Sequence, residues 1–201
     1  MLRVGLTGGL ASGKTFVGHT LAGLGCLLIE ADEIGREAQQ PGGAAYDEIV
    51  RVFGREFLNA DGTLDRRKLA ALVFHDPAQL EKLNAIVHPY VIARRRQMEV
   101  DFARENPRGI AVTEAAILIE TGSYRDFDRL IVAVCRPEQQ VERAMSRGHL
   151  TREEVLDRMR RQMPLDEKVK YADFIIDTSG PKEQSAAQTR ALYESLRSLT
   201  L

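Results

Sequence analysis

The sequence predicts an α/β fold built on a five-stranded parallel sheet flanked by helices. Three observations lead there. Apolar runs of strand length recur at Arg3-Leu6, Leu27-Ile29, Gly109-Val112, Leu130-Val134 and Phe174-Ile176, and they are continuous rather than alternating, as strands covered on both faces are. Longer segments of helical spacing separate the runs, so strands and helices alternate as parallel crossovers require. A glycine-rich turn, Gly8-Gly9-Leu10-Ala11-Ser12-Gly13-Lys14-Thr15, joins the first strand to the first helix. With 201 residues the chain suits one domain carrying a small inserted subdomain.

The first helix is expected to run from the turn to about Leu24, with Phe16, Val17, Leu21 and Leu24 inward and Gly25 as its stop. Residues 31–108 then carry helical patterns without linker composition, which predicts an inserted helical subdomain between the second and third strands. Inside it Asp76-Pro77 supplies an N-cap and an N1 proline, and Leu80, Leu83 and Val87 give a buried stripe. Pro89 disfavours helix at His88 and predicts a break or kink there. Thr151-Arg152-Glu153-Glu154 has the capping-box pattern, followed by Val155, Leu156, Met159 and Met163 on one face and Pro164 as terminator. Arg158, Arg161 and Gln162 lie away from that face. The arginine-rich stretch from Arg143 to Arg161 resembles a closing lid, and a last helix covers about Lys182 to Leu199. The expected division is a core of about 1–30, 109–140 and 172–201, an insert of about 31–108 and a lid of about 141–171.

Composition narrows the function. The net charge is -1, from 28 basic and 29 acidic side chains, which argues against a general nucleic-acid binder. Cys26 and Cys135 form no CxxC pair and are expected to be reduced, buried thiols. His19, His75, His88 and His149 are scattered, with no HExxH, so a histidine metal site is not expected. Strand-like Leu2-Arg3-Val4-Gly5-Leu6 opens the chain and leaves no room for a signal peptide, and no apolar run approaches the roughly 20 residues of a membrane span. The expectation is a cytoplasmic protein without nucleic-acid or membrane partners, present as a monomer or weak homo-oligomer.

Gly8 to Thr15 matches GxxxxGK[ST] in the strand-to-helix context of a phosphate-binding P-loop. Close approach of backbone N–H groups to an anion favours glycine, and the helix N-terminus adds partial positive charge. Gly9, Leu10, Ala11, Ser12, Gly13, Lys14, Thr15 and Phe16 are therefore the candidate ATP-binding residues, with Lys14 on the β- and γ-phosphates and the Thr15 hydroxyl on Mg²⁺. Asp32 follows the second strand, where an open α/β sheet places its ligands. It reads equally as a base for an attacking hydroxyl or as a helix cap or first-turn acid. Arg143 and Arg147, four apart on one helix, are candidates to stabilise a transferring phosphate, against the alternative of a solvated face. Arg94, Arg95 and Arg96 read as a solvated charge run, with the alternative that one of them meets a substrate phosphate.

The ordered set of segments resembles dephospho-CoA kinase, the P-loop kinase family that phosphorylates the ribose 3′-hydroxyl of dephospho-coenzyme A. Leu6-Thr7-Gly8-Gly9 with Ser12-Gly13-Lys14 is similar to the family's LTGGxxSGK opening, and Glu30-Ala31-Asp32 to its DAD. Leu83-Asn84-Ala85-Ile86-Val87-His88-Pro89 resembles LNxxxHP in the acceptor-binding insert. Arg158 to Leu165 with Lys168 resembles the RxxxQxP lid segment, and Ala172 to Asp177 with Ser179-Gly180 the last strand and the loop near the base. The resemblance implies a P-loop NTPase-type fold, ATP and Mg²⁺, and dephospho-CoA as the acceptor. It also implies Asp32 as catalytic base, and His88 and Arg158 as substrate-binding residues. Glu114 becomes a partner for Mg²⁺ or part of the acceptor site. Three positions depart from the pattern: Glu30 for the first aspartate of DAD, Ala116 in Ala116-Ile117-Leu118 where PLL is usual, and Thr178 for a frequent asparagine at the nucleotide base. A shikimate or nucleoside monophosphate kinase is the nearest alternative. A nucleotide switch is disfavoured because the DxxG match at Asp177-Gly180 falls late and no NKxD follows.

Overall fold

Five strands form a parallel sheet in a computed structural model that describes residues 1–148 and 150–200. His149 lies outside the described residues. The strands are β1 (Leu2–Gly8), β2 (Leu27–Glu30), β3 (Ile110–Glu114), β4 (Arg129–Val134) and β5 (Phe174–Asp177). Each falls on its predicted apolar run. In chain order the helices are α1 (Lys14–Gly23), α2 (Ala31–Ala38), α3 (Tyr46–Phe53), α4 (Arg66–His75), α5 (Pro77–Glu105), α6 (Pro137–Arg147), α7 (Arg152–Arg160), α8 (Leu165–Val169) and α9 (Lys182–Ser198). No described helix is long and apolar enough to cross a membrane.

The strand order is β2-β3-β1-β4-β5, so β1 lies at the centre. From β1 the chain passes through α1 to β2 on one side, whereas β4 and β5 lie on the other. Such a divergence opens a crevice at the carboxyl ends of the strands, where β1 delivers its loop. The register pairs Leu6 with Glu114 and Gly8 with Ala133, which brings the ends of β3 and β4 beside the start of that loop. Val17 and Leu21 of α1 and Leu192 and Leu196 of α9 pack with Val4, Leu6, Val112 and Ile131 into a core on one side of the sheet. Cys26 joins this core, and both cysteines are free and buried. Burial pushes the Cys26 thiol up to about 12.

The chain divides into two compact units, Met1–Glu30 with the chain from Glu99 onward, and Ala31–Met98. The second unit has its own core, in which Ile49 and Phe53 of α3, Leu69 of α4, and Ile86 and Val87 of α5 pack with Leu64. An Asp76 carboxylate oxygen accepts the N–H groups of Ala78 and Gln79 at 2.9 and 3.4 Å, so α5 starts where expected.

Four local expectations are corrected. Helix α5 does not end at His88 but runs through Pro89. Proline removes one helical hydrogen bond, but Ile86 and Val87 before it and Tyr90 and Val91 after it are held by the same core, and tertiary packing overrides the local preference. Leu80 is 41% exposed, so the buried stripe begins later in the helix. Helix α7 has the expected capping box at Thr151 and Glu154 but stops at Arg160, and Pro164 caps α8 instead of terminating α7. The N–H of Met163, which would continue the helix, donates instead to Glu120 Oε1 at 3.0 Å. Arg95, read as part of a solvated charge run, is only 6% exposed, whereas α1 ends as expected, with Leu24 as its cap and Gly25 at a left-handed φ of 98°.

Leu21 is fully buried between α1, the sheet and α9, so Leu21→Ala should destabilise the protein by about 2–5 kcal/mol in urea unfolding. A change below about 1 kcal/mol would place Leu21 outside the cooperative core.

Candidate active site

The loop after β1 is shaped by two left-handed residues, Ala11 at φ 52° and Gly13 at φ 87°. Gly13 caps α1, and a Cβ there would lie 2.8–3.0 Å from the Thr178 side chain. A Cβ on Gly9 would strike the Gln140 amide. Close packing therefore requires glycine at both positions, and at Gly13 the left-handed backbone favours it as well. The first turn of α1 directs N–H groups without helical partners into the loop, which favours an anion. Lys14 Nζ donates to the carbonyls of Gly9 and Gly8 at 2.9 and 3.4 Å. Ser12 Oγ is buried and, among the described residues, has no hydrogen-bond partner. Phe16 is half-buried in the first turn of α1.

Thr15 is exposed, and its hydroxyl donates to Glu114 Oε1 at 2.9 Å. A hydroxyl beside a carboxylate is a hard-oxygen donor set of the kind Mg²⁺ takes, while the glycine loop and Lys14 suit phosphate oxygens. The residues present fit both groups.

Side chains from distant segments hold the loop in place. Gln140 of α6 donates to the Leu10 carbonyl at 2.7 Å, and the Leu10 N–H donates to Gln162 Oε1 at 2.8 Å. The fully buried Lys168 of α8 donates to the Ala116 carbonyl at 2.6 Å and pairs with Glu120 Oε1 at 2.9 Å. The Ala116 carbonyl also accepts the Thr7 hydroxyl at 3.2 Å. The sequence reading missed Thr7, Glu120 and Gln140. For Thr7 and Gln140 the one signal was a polar residue at a buried position, within an apolar strand and beside Val141 on α6, whereas the exposed Glu120 gave none.

The candidate arginines occupy different settings. Arg143 is half-buried and donates to the Thr178 hydroxyl at 3.2 Å and to the Thr178 carbonyl at 2.7 Å. Arg147, one turn later, is exposed, as is Arg158 on α7. Beside Arg143, burial raises the pKa of the Cys135 thiol, opposed by the guanidinium and by a hydrogen bond with Thr178.

Asp32 and His88 belong to the second unit. Asp32 is an exposed first-turn acid of α2, favourably placed near the helix N-terminus, and among the described residues its carboxylate makes no capping hydrogen bond. His88 is half-buried on α5, and burial lowers its pKa below 6.5. At the junction, Glu30 ends β2 with its carboxylate 4.0 Å from His19 Nε2.

A family model described as dephospho-CoA kinase matches residues 2–184. The chain belongs to the dephospho-CoA kinase family. The dephospho-CoA kinase of Aquifex aeolicus is 36% identical over 98% of each chain. That of Thermobifida fusca is 39% identical over 98% of this chain and 97% of its own. Among solved structures, one from Thermus thermophilus matches with a TM-score of 0.80 and 34% identity over 96% of this chain and 97% of that one. A dephospho-CoA kinase from Campylobacter jejuni shares the fold, with a TM-score of 0.62 and 22% identity over 96% of each chain. The P-loop, the lysine at its end and the polar clamps around Leu10 are thus features of a dephospho-CoA kinase family member. The shikimate and nucleoside monophosphate kinase alternatives are set aside.

Since burial disfavours its charged form, His88 should titrate in the folded protein with a midpoint below 6.5, readable by NMR. The unfolded chain takes up this proton first as pH falls, so the contribution is complete above about 6.5 and is lost on acidification. His88→Gln should flatten that part of the stability profile. A folded midpoint above 6.5 would contradict the burial argument.

Proposed function

We propose that this enzyme transfers the γ-phosphoryl group of ATP to the ribose 3′-hydroxyl of dephospho-CoA, giving coenzyme A and ADP, the last step of coenzyme A synthesis. The observation that carries this reading is the head of α1, where Lys14 and the Thr15–Glu114 pair stand on a glycine loop clamped at Leu10, in a chain of this family.

In this reading Lys14 and the loop amides from Gly9 to Thr15 hold the β- and γ-phosphates, with Phe16 completing the nucleotide site. Thr15, supported by Glu114, would hold Mg²⁺, which when bound neutralises charge on the β- and γ-oxygens. Asp32 accepts the proton of the 3′-hydroxyl as its oxygen bonds to the γ-phosphorus and the bond to ADP breaks. An exposed carboxylate without a capping role is free to do so. Arg143 and Arg147 stabilise charge on the transferring group. The insert of about 31–108, through His88, receives the acceptor. The lid of about 141–171, carrying Arg158, closes over it and excludes water. At neutral pH a neutral His88 would serve the acceptor as a hydrogen-bonding group and not as a cation.

The test is to offer Mg²⁺-ATP with dephospho-CoA, AMP and shikimate in parallel and to locate the new phosphate by ³¹P NMR. Phosphate is expected on the ribose 3′-oxygen of dephospho-CoA alone. Transfer to AMP or shikimate with dephospho-CoA inert would overturn the assignment. Lys14→Ala should lower kcat about 10³-fold with an unchanged unfolding midpoint, because it removes charge stabilisation without opening a core cavity. Asp32→Asn should lower kcat about 10²- to 10⁴-fold with ATP affinity within about threefold, the signature of a lost general base. If only stability changes, Asp32 is a first-turn acid and the base lies elsewhere.

A further inference from the structure

Thr178, just beyond β5, is 5% exposed and lies behind the P-loop. Its Oγ1 is 2.8 Å from the Ser12 carbonyl and 3.1 Å from the Val134 carbonyl, and it accepts Arg143 Nη1 at 3.2 Å. A hydroxyl has one hydrogen and two lone pairs. The hydrogen is shared between the two carbonyls, with the shorter contact to Ser12, and a lone pair takes the guanidinium. The Thr178 backbone repeats the pattern, its N–H donating to Val134 at 2.8 Å and its carbonyl accepting Arg143 Nη2 at 2.7 Å. The Thr178 side chain also fills the space that a Cβ on Gly13 would need. One small side chain therefore touches the loop carbonyl two residues before Lys14, the glycine that caps α1, and the guanidinium on α6.

We infer that Thr178 is a positioning residue of the phosphoryl-transfer site, locking the P-loop backbone at Ser12-Gly13 and the Arg143 guanidinium into one rigid unit. The inference rests on the reading of Arg143 as a group that acts on the transferring phosphate. It assigns position 178 a task different from contacting a nucleotide base, because both hydrogen-bonding capacities of the hydroxyl are directed at the protein. Two parallel hydrogen bonds from Arg143, to hydroxyl and carbonyl of the same residue, fix the plane of the guanidinium as well as its position. Without the hydroxyl, Arg143 keeps a single carbonyl contact and can swing, and Ser12 loses the donor that fixes its peptide plane. Both effects misplace groups that must be preorganised and leave the acceptor site unchanged.

The test compares Thr178→Val, which keeps the shape and removes the hydroxyl, with Thr178→Ser, which keeps the hydroxyl. Thr178→Val should lower kcat about tenfold with KM for dephospho-CoA within about twofold, and Thr178→Ser should stay within about threefold of the parent kcat. Arg143→Ala is measured alone and in combination with Thr178→Val. If Thr178 acts through Arg143, the double variant should lose much less than the product of the two single losses. Unfolding midpoints are recorded for each variant, and Thr178→Ser keeps the question answerable if Thr178→Val folds poorly. Two results would overturn the inference: a Thr178→Val enzyme with parent kcat, or losses that multiply fully while Arg143→Ala is itself costly. A silent Arg143→Ala would instead remove the underlying reading of Arg143, a separate outcome.

Discussion

A lysine ammonium removed from water needs fixed oxygen partners, and the arrangement around Lys168 follows from that demand. With 0% of its side chain exposed, Lys168 holds the Ala116 carbonyl and the Glu120 carboxylate. Removing Glu120, whose carboxylate is partly exposed, would leave the buried ammonium without its charge partner, a cost below the about 3–5 kcal/mol typical of a fully buried pair. Glu120, fixed by Lys168, takes the Met163 N–H, and the chain after α7 leaves its helical path there. That departure puts Gln162 against the Leu10 N–H, opposite the Gln140 bond to the Leu10 carbonyl. The peptide groups flanking Leu10 are thus set by a sequence of contacts that starts at an ion pair on α8.

The same logic governs the other end of the loop. The central position of β1 brings the end of β3 beside it, so Glu114 meets Thr15, and the pairing of β4 with β5 sets Val134 beside Thr178. Thr178 then secures Ser12 and Arg143. Loop backbone near a phosphate has to be held against the entropy of a glycine-rich segment, and here the restraint comes from short polar side chains on rigid elements. Lys14 bonds the carbonyls of Gly8 and Gly9, keeping its ammonium on the loop.

Much of the fold was legible because the apolar runs are long enough to be strands and too continuous to be half-exposed. The P-loop was legible because its glycines and lysine are demanded by local geometry. The path through Pro89 was not, since a local rule predicts a break and only the core around Ile86, Val87 and Tyr90 overrides it. The end of α7 was missed for a related reason: Pro164 marks a boundary, but the cause of the early stop is a partner 43 residues away in the chain, Glu120. Gln140, Thr7 and Glu120 were invisible as site residues because a polar side chain that holds a carbonyl or N–H carries no spacing of its own. Asp32 and Arg147 were named from chain position, and their side chains add only that they are exposed.

The departures from the family pattern become physically coherent once the backbone is considered. Position 116 contributes its carbonyl, to Thr7 and Lys168, and a carbonyl is available from alanine and proline alike. Position 178 differs, because here the side chain itself is used, bonded to Ser12, Val134 and Arg143 and packed where a Cβ on Gly13 would otherwise lie. Threonine supplies a donor and an acceptor within that space, and its methyl group fills what remains. Tolerance at one position and constraint at the other thus follow from the same question, which is whether the site uses the backbone or the side chain of the residue. By that criterion Leu10, whose N–H and carbonyl are both engaged while its side chain packs with the cluster around Val155, should accept other apolar residues more readily than Gln140 or Gln162 accept any replacement.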